Sequence, residues 1–115
     1  MDTVFLRNVS LFESLNEEEL EALAQMTITR NFSKDGVIIL AEEEGNTLFI
    51  IKKGRVKVSI VSEDGREVIL SILGEGTVFG ELSLLDGKPR SANVIATEDT
   101  SLIMLRRQDF VQLIF

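Results

Sequence analysis

The stretch that decides the fold is LFIIKKGRVKVSIVSEDGREVILSIL, residues 48–73, in which short apolar runs are separated by glycine-containing turns. Within it, residues 55–61 alternate apolar with polar side chains, the period of two that is typical of a half-buried strand. Asp64-Gly65 is a dipeptide that favours a tight hairpin turn. The stretch therefore predicts three strands, the last two joined as a hairpin: 48–53, 55–61 and 68–73.

The same pattern extends outward on both sides of this stretch. Further strands are predicted at 28–32, 37–40, 92–96 and 101–105. Helical spacing of apolar residues predicts a helix from Val9 to Met26, capped by Ser14 or Asn16, and a second from Arg106 to Phe115. Short strands at this spacing predict one mainly β domain over 1–115, a sandwich, barrel or jelly roll.

Composition excludes several functional classes. The 115 residues include no cysteine and no histidine, which removes disulfides, the usual zinc and haem ligands, and the commonest catalytic base. We therefore expect no metal site and no catalytic residues. The net charge of −7 disfavours nucleic acid as a partner of this segment. No membrane span or signal peptide is recognisable, so the cytoplasm is the expected location.

One segment does not fit the strand pattern, GELSLLDGKPRSA at residues 80–92. Residues 81–85 have the length of a short helix, with Gly80 before it and Gly87 at its end, where a left-handed residue is favoured. Pro89, the single proline of the chain, stiffens the backbone before Arg90. The first N–H groups of such a helix have no partner within the helix and can bind an anion.

Two charged side chains make this segment a candidate phosphate and sugar site. The guanidinium of Arg90 can hold two phosphate oxygens at once. The carboxylate of Glu81 would repel a phosphate, but it suits a hydroxyl donor such as a ribose 2′-OH. Alternatively, Glu81 and Arg90 pair with each other or remain solvated. Gly74 and Gly76 lack the strand and helix context of a dinucleotide fingerprint. We expect four phenylalanines to be core residues and not a platform for stacking a base: Phe12, Phe32, Phe49 and Phe79.

At this point the sequence resembles a known family, the cyclic nucleotide-binding domains. Residues 79–85, FGELSLL, followed by 89–92, PRSA, are similar to the phosphate-binding cassette of that family. Other similarities cover nearly the whole chain: Leu11-Phe12, Gly36-Val37-Ile38, Gly45 before Leu48-Phe49-Ile50, Gly54-Arg55-Val56 and Leu73-Gly74-Glu75-Gly76. The spacing between Glu81 and Arg90 is similar to that in kinase regulatory subunits and channels.

The resemblance implies a double-stranded β-helix, or jelly-roll β-roll, of eight strands with a short N-terminal helical segment, a short cassette helix and a C-terminal helix. Its ligand would be a cyclic nucleotide, cyclic AMP in preference to cyclic GMP, with no further cofactor. By the family pattern Glu81 holds the ribose 2′-OH and Arg90 the cyclic phosphate. The remaining ligand-binding residues implied by the cassette are Gly80, Leu82, Ser83, Ser91 and Ala92.

The resemblance also implies an output beyond this chain. The leading interpretation is the sensor domain of a catabolite-activator/FNR-type transcription regulator, homodimeric when full length, with DNA bound by a domain beyond Phe115 and after a long helix. One alternative is a regulatory module of a channel, transporter, kinase or hydrolase. Another is a β-roll that has lost nucleotide binding and serves as a scaffold. A cupin-like enzyme is disfavoured because the histidine ligands are absent.

Overall fold

The computed structural model describes residues 3–9, 12–39, 47–80, 92–106, 108–109 and 112. In this part of the chain two helices precede eight strands, which confirms the mainly β class. The elements are α1 (Thr3–Arg7), α2 (Glu17–Met26), β1 (Ile28–Phe32), β2 (Val37–Ile39), β3 (Thr47–Lys53), β4 (Val56–Val61), β5 (Glu67–Leu73), β6 (Val78–Phe79), β7 (Asn93–Ala96) and β8 (Thr100–Arg106).

The strands form two four-stranded antiparallel sheets. The first sheet has the order β1-β8-β3-β6 and the second the order β2-β7-β4-β5. The chain changes sheet at every connection except the β4–β5 hairpin, the connection pattern of the expected jelly-roll β-roll. In that hairpin Val58 pairs with Ser71 but Ser59 pairs with Ile69, so Leu70 is an extra residue and forms a bulge.

Two hydrophobic clusters make up the core, one on each face of the first sheet. Strand β3 contributes Leu48 and Ile50 to the first cluster, against α1 and α2, and Phe49 and Ile51 to the second, between the two sheets. This explains why residues 48–51 are continuously apolar, since a strand buried on both faces has no reason to alternate. The predicted core phenylalanines are confirmed: Phe12, Phe49 and Phe79 are buried, and Phe32 packs against the second cluster.

The prediction of one helix from Val9 to Met26 was wrong, because α2 begins only at Glu17. Asn16, one of the two predicted caps, is its N-cap. The Asn16 side chain accepts a 2.8 Å hydrogen bond from the Glu19 N–H, and the Glu19 side chain accepts a 3.0 Å hydrogen bond from the Asn16 N–H. This capping box fixes the helix start at Asn16. Upstream, successive i to i+3 bonds at Val9, Phe12 and Leu15 form tight turns instead of an α-helix.

Two further elements differ from the sequence prediction. Strand β6 was missed because it has two residues, Val78 and Phe79, and lies among glycine turns where no alternation can develop. At the C-terminal end, Arg106 is the last residue of β8, paired with Thr47, and not the first residue of the predicted Arg106–Phe115 helix. Gln108, Asp109 and Gln112 are helical, and the other residues after Arg106 lie outside the described residues. Among the helices that the structure describes, none has the length and apolar character needed to cross a membrane.

A polar triad holds the β4–β5 hairpin together. Lys57 Nζ lies 2.9 Å from one carboxylate oxygen of Glu67, and the Ser59 hydroxyl donates to the other at 3.1 Å. The hydrogen bond from Lys57 holds the pKa of Glu67 below its ordinary value of 4.5; the Ser59 bond and the Lys57 charge act in the same direction, against partial desolvation. The ionised form of Glu67 is therefore favoured by folding.

Glu67→Gln is expected to lower stability at neutral pH and to make less difference in acid. Because folding lowers the pKa of Glu67, its stabilising effect is complete above 4.5 and is lost as the pH falls through the folded value. The difference in melting temperature between wild type and Glu67→Gln should thus shrink from pH 7 to pH 3.5, as followed by circular dichroism. Glu63→Gln, on the exposed hairpin turn, is the control. A difference that stays constant with pH would contradict the role of the Glu67 charge.

Candidate functional site

The structure describes the two ends of the predicted binding segment. Gly80 directly follows β6, and Ala92 directly precedes β7. The other predicted ligand-binding residues lie outside the described residues: Glu81, Leu82, Ser83, Arg90 and Ser91. The predicted cassette helix at 81–85 lies outside them as well. The structure therefore gives the geometry of the two ends of the segment, which we call its N-terminal and C-terminal anchors.

The N-terminal anchor is a phenylalanine pair in the second cluster. Phe79 pairs with Phe49 across β6 and β3, and the two rings stack with centroids 5.0 Å apart and planes within 8°. Only 7% of Phe79 is exposed, so the residue directly before the segment still belongs to the core. Gly80 then has a φ of +83°, a conformation that disfavours any residue with a Cβ. The backbone conformation therefore explains why position 80 is a glycine.

The turn before β6 is fixed to the same sheet. The Gly76 N–H donates to the carbonyl of Ile51 at 2.8 Å, and the Ile51 N–H donates to the carbonyl of Thr77 at 3.0 Å. Gly76 also has a positive φ, +82°, and the Thr77 N–H completes the turn by donating to the carbonyl of Gly74 at 3.2 Å. Gly74 and Gly76 thus form a turn between strands, in agreement with the rejection of a dinucleotide fingerprint.

The C-terminal anchor lies in the second sheet. Asn93 pairs with Ser59 and Val94 with Val58, so the chain enters the sheet beside β4 directly after Ala92. Val94 is 5% exposed and belongs to the same hydrophobic cluster as Phe79. Residues 80–92 therefore connect one sheet to the other, and both of their ends are anchored in one cluster. Rigid anchors of this kind are what a binding loop needs for its side chains to be positioned.

An apolar surface beside the C-terminal anchor was not identified from the sequence. Val58 and Leu73 are partly buried and pack against the second cluster, and Val58 is the direct partner of Val94. Their alternation within β4 and β5 was visible, but the closeness of Val58 to the end of the segment depends on the pairing of β4 with β7. Leu73 lies further away, on β5 opposite Val56. Partly exposed aliphatic side chains of this kind can contact the flat face of a base.

The carboxylates of the described ranges do not form a metal site. No group of three acidic side chains in these ranges has the arrangement to hold an ion.

Comparison with known proteins assigns this arrangement to a family. The chain belongs to the cyclic nucleotide-binding domains, whose family model matches residues 29–115. These are regulatory, ligand-binding domains, and the fold of two antiparallel sheets agrees with that class. The resemblance seen in the sequence is confirmed at the level of the family.

The relatives carry this domain in different proteins. The chain is 34% identical over 109 residues to the cyclic AMP receptor protein of Thermus thermophilus, covering 95% of this chain and 50% of that protein. It is 37% identical over 110 residues to human cGMP-dependent protein kinase 2, covering 94% and 14% respectively. A co-crystal structure of the regulatory domain of Toxoplasma gondii PKA with cAMP superposes with a TM-score of 0.90 at 29% identity, covering 96% and 42%. The chain thus spans half or less of these proteins.

Proposed function

We propose that this domain is a cyclic nucleotide sensor that binds cyclic AMP in preference to cyclic GMP through residues 80–92. The observation that carries the proposal is the anchoring of this segment, between Phe79 and Val94, in one cluster that joins both sheets. Because the two ends are already held close to one cluster, a ligand has to order only the interior of the segment and does not have to bring its ends together. The segment also contains the two charged residues that suit a sugar phosphate.

Each predicted residue has a proposed role in this site. Arg90 binds the cyclic phosphate, and Glu81 accepts a hydrogen bond from the ribose 2′-OH. Backbone N–H groups at the start of the helix predicted at 81–85 complete the phosphate shell. The remaining residues border the ligand: Gly80, Leu82, Ser83, Ser91 and Ala92. Val58, the direct partner of Val94, offers a nearby aliphatic surface for the base.

The preference for cyclic AMP is supported by two similarities. The Thermus relative is a cyclic AMP receptor protein, and the Toxoplasma structure is a complex with cAMP. The human kinase relative, which is cGMP-dependent, supports the other nucleotide at a comparable identity. A direct comparison of the two affinities is therefore the first measurement on this site.

The proposed output is that of a catabolite-activator/FNR-type transcription regulator in the cytoplasm. In this proposal the full-length protein is a homodimer, DNA is bound by another domain, and this domain performs no catalysis. The ligand acts by its differential affinity for two conformations of the protein. A second candidate, favoured by the kinase relative, is a regulatory module joined to a kinase. Fusion to a channel, transporter or hydrolase is consistent with the same site.

Calorimetric titration with cyclic AMP and then with cyclic GMP tests the binding function. We expect saturable binding of one nucleotide per chain, tighter for cyclic AMP. The acyclic 5′-AMP is the matched control, because it keeps the base and ribose but carries an open phosphate. Absence of saturable binding by both cyclic nucleotides at millimolar concentration would contradict the proposal. Tighter binding of cyclic GMP would overturn the preference alone.

Glu81→Ala tests the sugar contact separately from the phosphate contact. Loss of a hydrogen bond to a carboxylate is expected to lower the affinity for cyclic AMP by about 10-fold or more, as for other hydrogen bonds to charged groups. The 2′-deoxy analogue lacks the donor, so its affinity should change much less. Titration of both ligands into wild type, Glu81→Ala and Glu63→Ala, an exposed control, gives the comparison. Equal losses for the two ligands would refute the role of Glu81.

A further inference from the structure

The second sheet has an outer face that points away from the core. Val56 and Val58 of β4 contribute to the second cluster, so the alternate residues Lys57 and Ser59 point to the opposite side. Their bonds to the Glu67 side chain place Glu67 on that side too. Residues paired directly across strands share a face. The outer face therefore includes Val37, Ile95, Lys57 and Ile72 in one row across β2, β7, β4 and β5, followed by Asn93, Ser59 and Ile69.

Large aliphatic side chains on this face are exposed. The exposed fractions are 49% for Val37, 62% for Val61, 52% for Ile69 and 53% for Ile72. These four residues, which we name the outer patch, together present on the order of 400 Å² of surface, comparable with the largest patch on a typical monomer. Val61, Ile69 and Ile72 are neighbours on β4 and β5, whereas Val37 lies at the other end of the row, beyond Lys57 and Ile95. A patch of this size on a folded domain commonly marks an interaction site.

The electrostatics of the outer patch differ from those of the chain as a whole. The net charge of −7 gives two copies of the chain an overall mutual repulsion. On the outer face of β4 and β5, however, the charges are those of Lys57 and Glu67, which neutralise each other at 2.9 Å. Because this ion pair has no net charge, a second copy that approaches through this face meets little net repulsion there, and sheet faces pack on one another about 10 Å apart.

We propose that the outer patch is a contact between two copies of this chain, related by a two-fold axis. The same aliphatic residues then meet on both sides, as in any isologous interface. Since the patch offers about half of the roughly 800 Å² per partner of a standard interface, the dimer is weak and reversible. The proposal does not depend on nucleotide binding, because the patch faces away from the cluster that anchors residues 80–92.

Sedimentation velocity without nucleotide, from about 10 μM to 1 mM, tests this contact. The wild-type sedimentation coefficient should rise with concentration, whereas Ile72→Lys and the milder Ile72→Thr should remain monomeric. Ile28→Lys is the matched control, since Ile28 is 64% exposed but lies on β1 of the first sheet. Ile72→Lys and Ile28→Lys change the net charge of the chain by the same amount. A loss of the dimer in Ile72→Lys alone therefore cannot be explained by a general change in repulsion.

The possible results divide clearly. Association of wild type and Ile28→Lys, with loss in both Ile72 variants and unchanged circular dichroism, supports the proposal. Because Ile72→Thr keeps a β-branched residue in the strand, it reports on the contact even where the lysine variant does not fold. A wild-type monomer at 1 mM, or association that survives in folded Ile72 variants, would overturn it.

Discussion

Replacing Arg90 with alanine is expected to weaken cyclic AMP binding by about 30-fold or more. The guanidinium is the proposed partner of the cyclic phosphate, and loss of a charge-assisted contact in a partly desolvated site costs about 2 kcal/mol or more. That free energy corresponds to the stated change in affinity, since each 1.4 kcal/mol or so is tenfold. Calorimetric titration of the variant and of the wild-type chain measures the ratio directly.

Two further variants separate a specific contact from the effect of net charge. Arg66→Ala removes the same charge from the β4–β5 turn, where Arg66 is exposed and paired with Asp64, and should leave the affinity unchanged. Arg90→Lys keeps the charge but loses the planar fork, so its affinity should fall between those of wild type and Arg90→Ala. Wild-type affinity in Arg90→Ala would show that the phosphate is bound elsewhere.

Much of the fold followed from local sequence signals. Alternation in 55–61 and the Asp64-Gly65 turn predicted the β4–β5 hairpin, because both features act within a few residues. Asn16 was identified as a possible cap for the same reason. The incorrect helix start at Val9 arose because buried residues in consecutive tight turns, such as Val9 and Phe12, have spacing similar to that of a helix.

Features that depend on distant pairing could not be predicted from the sequence pattern. Strand β6 exists because β3 offers it a partner at Phe49 and Ile50, and two residues carry no periodic signal of their own. The exposed aliphatic residues of β5 resembled core residues, since pattern alone does not reveal that β5 is an edge strand. For the site, motif resemblance predicted the segment at 80–92, and the structure describes the two ends of that segment.

Gly54 shows the same limit in a single residue and leads to the largest expected loss of stability. The sequence predicts a tight turn at Lys53-Gly54, and the structure gives Gly54 a φ of +103°. A Cβ at this position would lie 2.5 Å from Thr100 Oγ1 and 2.8 Å from the Asp99 carbonyl oxygen. Thr100 is 3% exposed, and its hydroxyl oxygen lies 2.8 Å from the carbonyl oxygen of Glu98 and 3.1 Å from that of Arg55, so it has little freedom to move.

Gly54→Ala is therefore expected to cost about 3 kcal/mol, from a disfavoured backbone conformation and from overpacking. The melting temperature should fall by roughly 10 °C or more in a domain of this size. Gly65→Ala is the matched control, because Gly65 also has a positive φ, +83°, but a Cβ there would meet nothing within 4 Å. It should lose about 1 kcal/mol, the backbone part alone. Equal losses in chemical denaturation would show that the turn does not pack against Thr100 as tightly as the structure indicates.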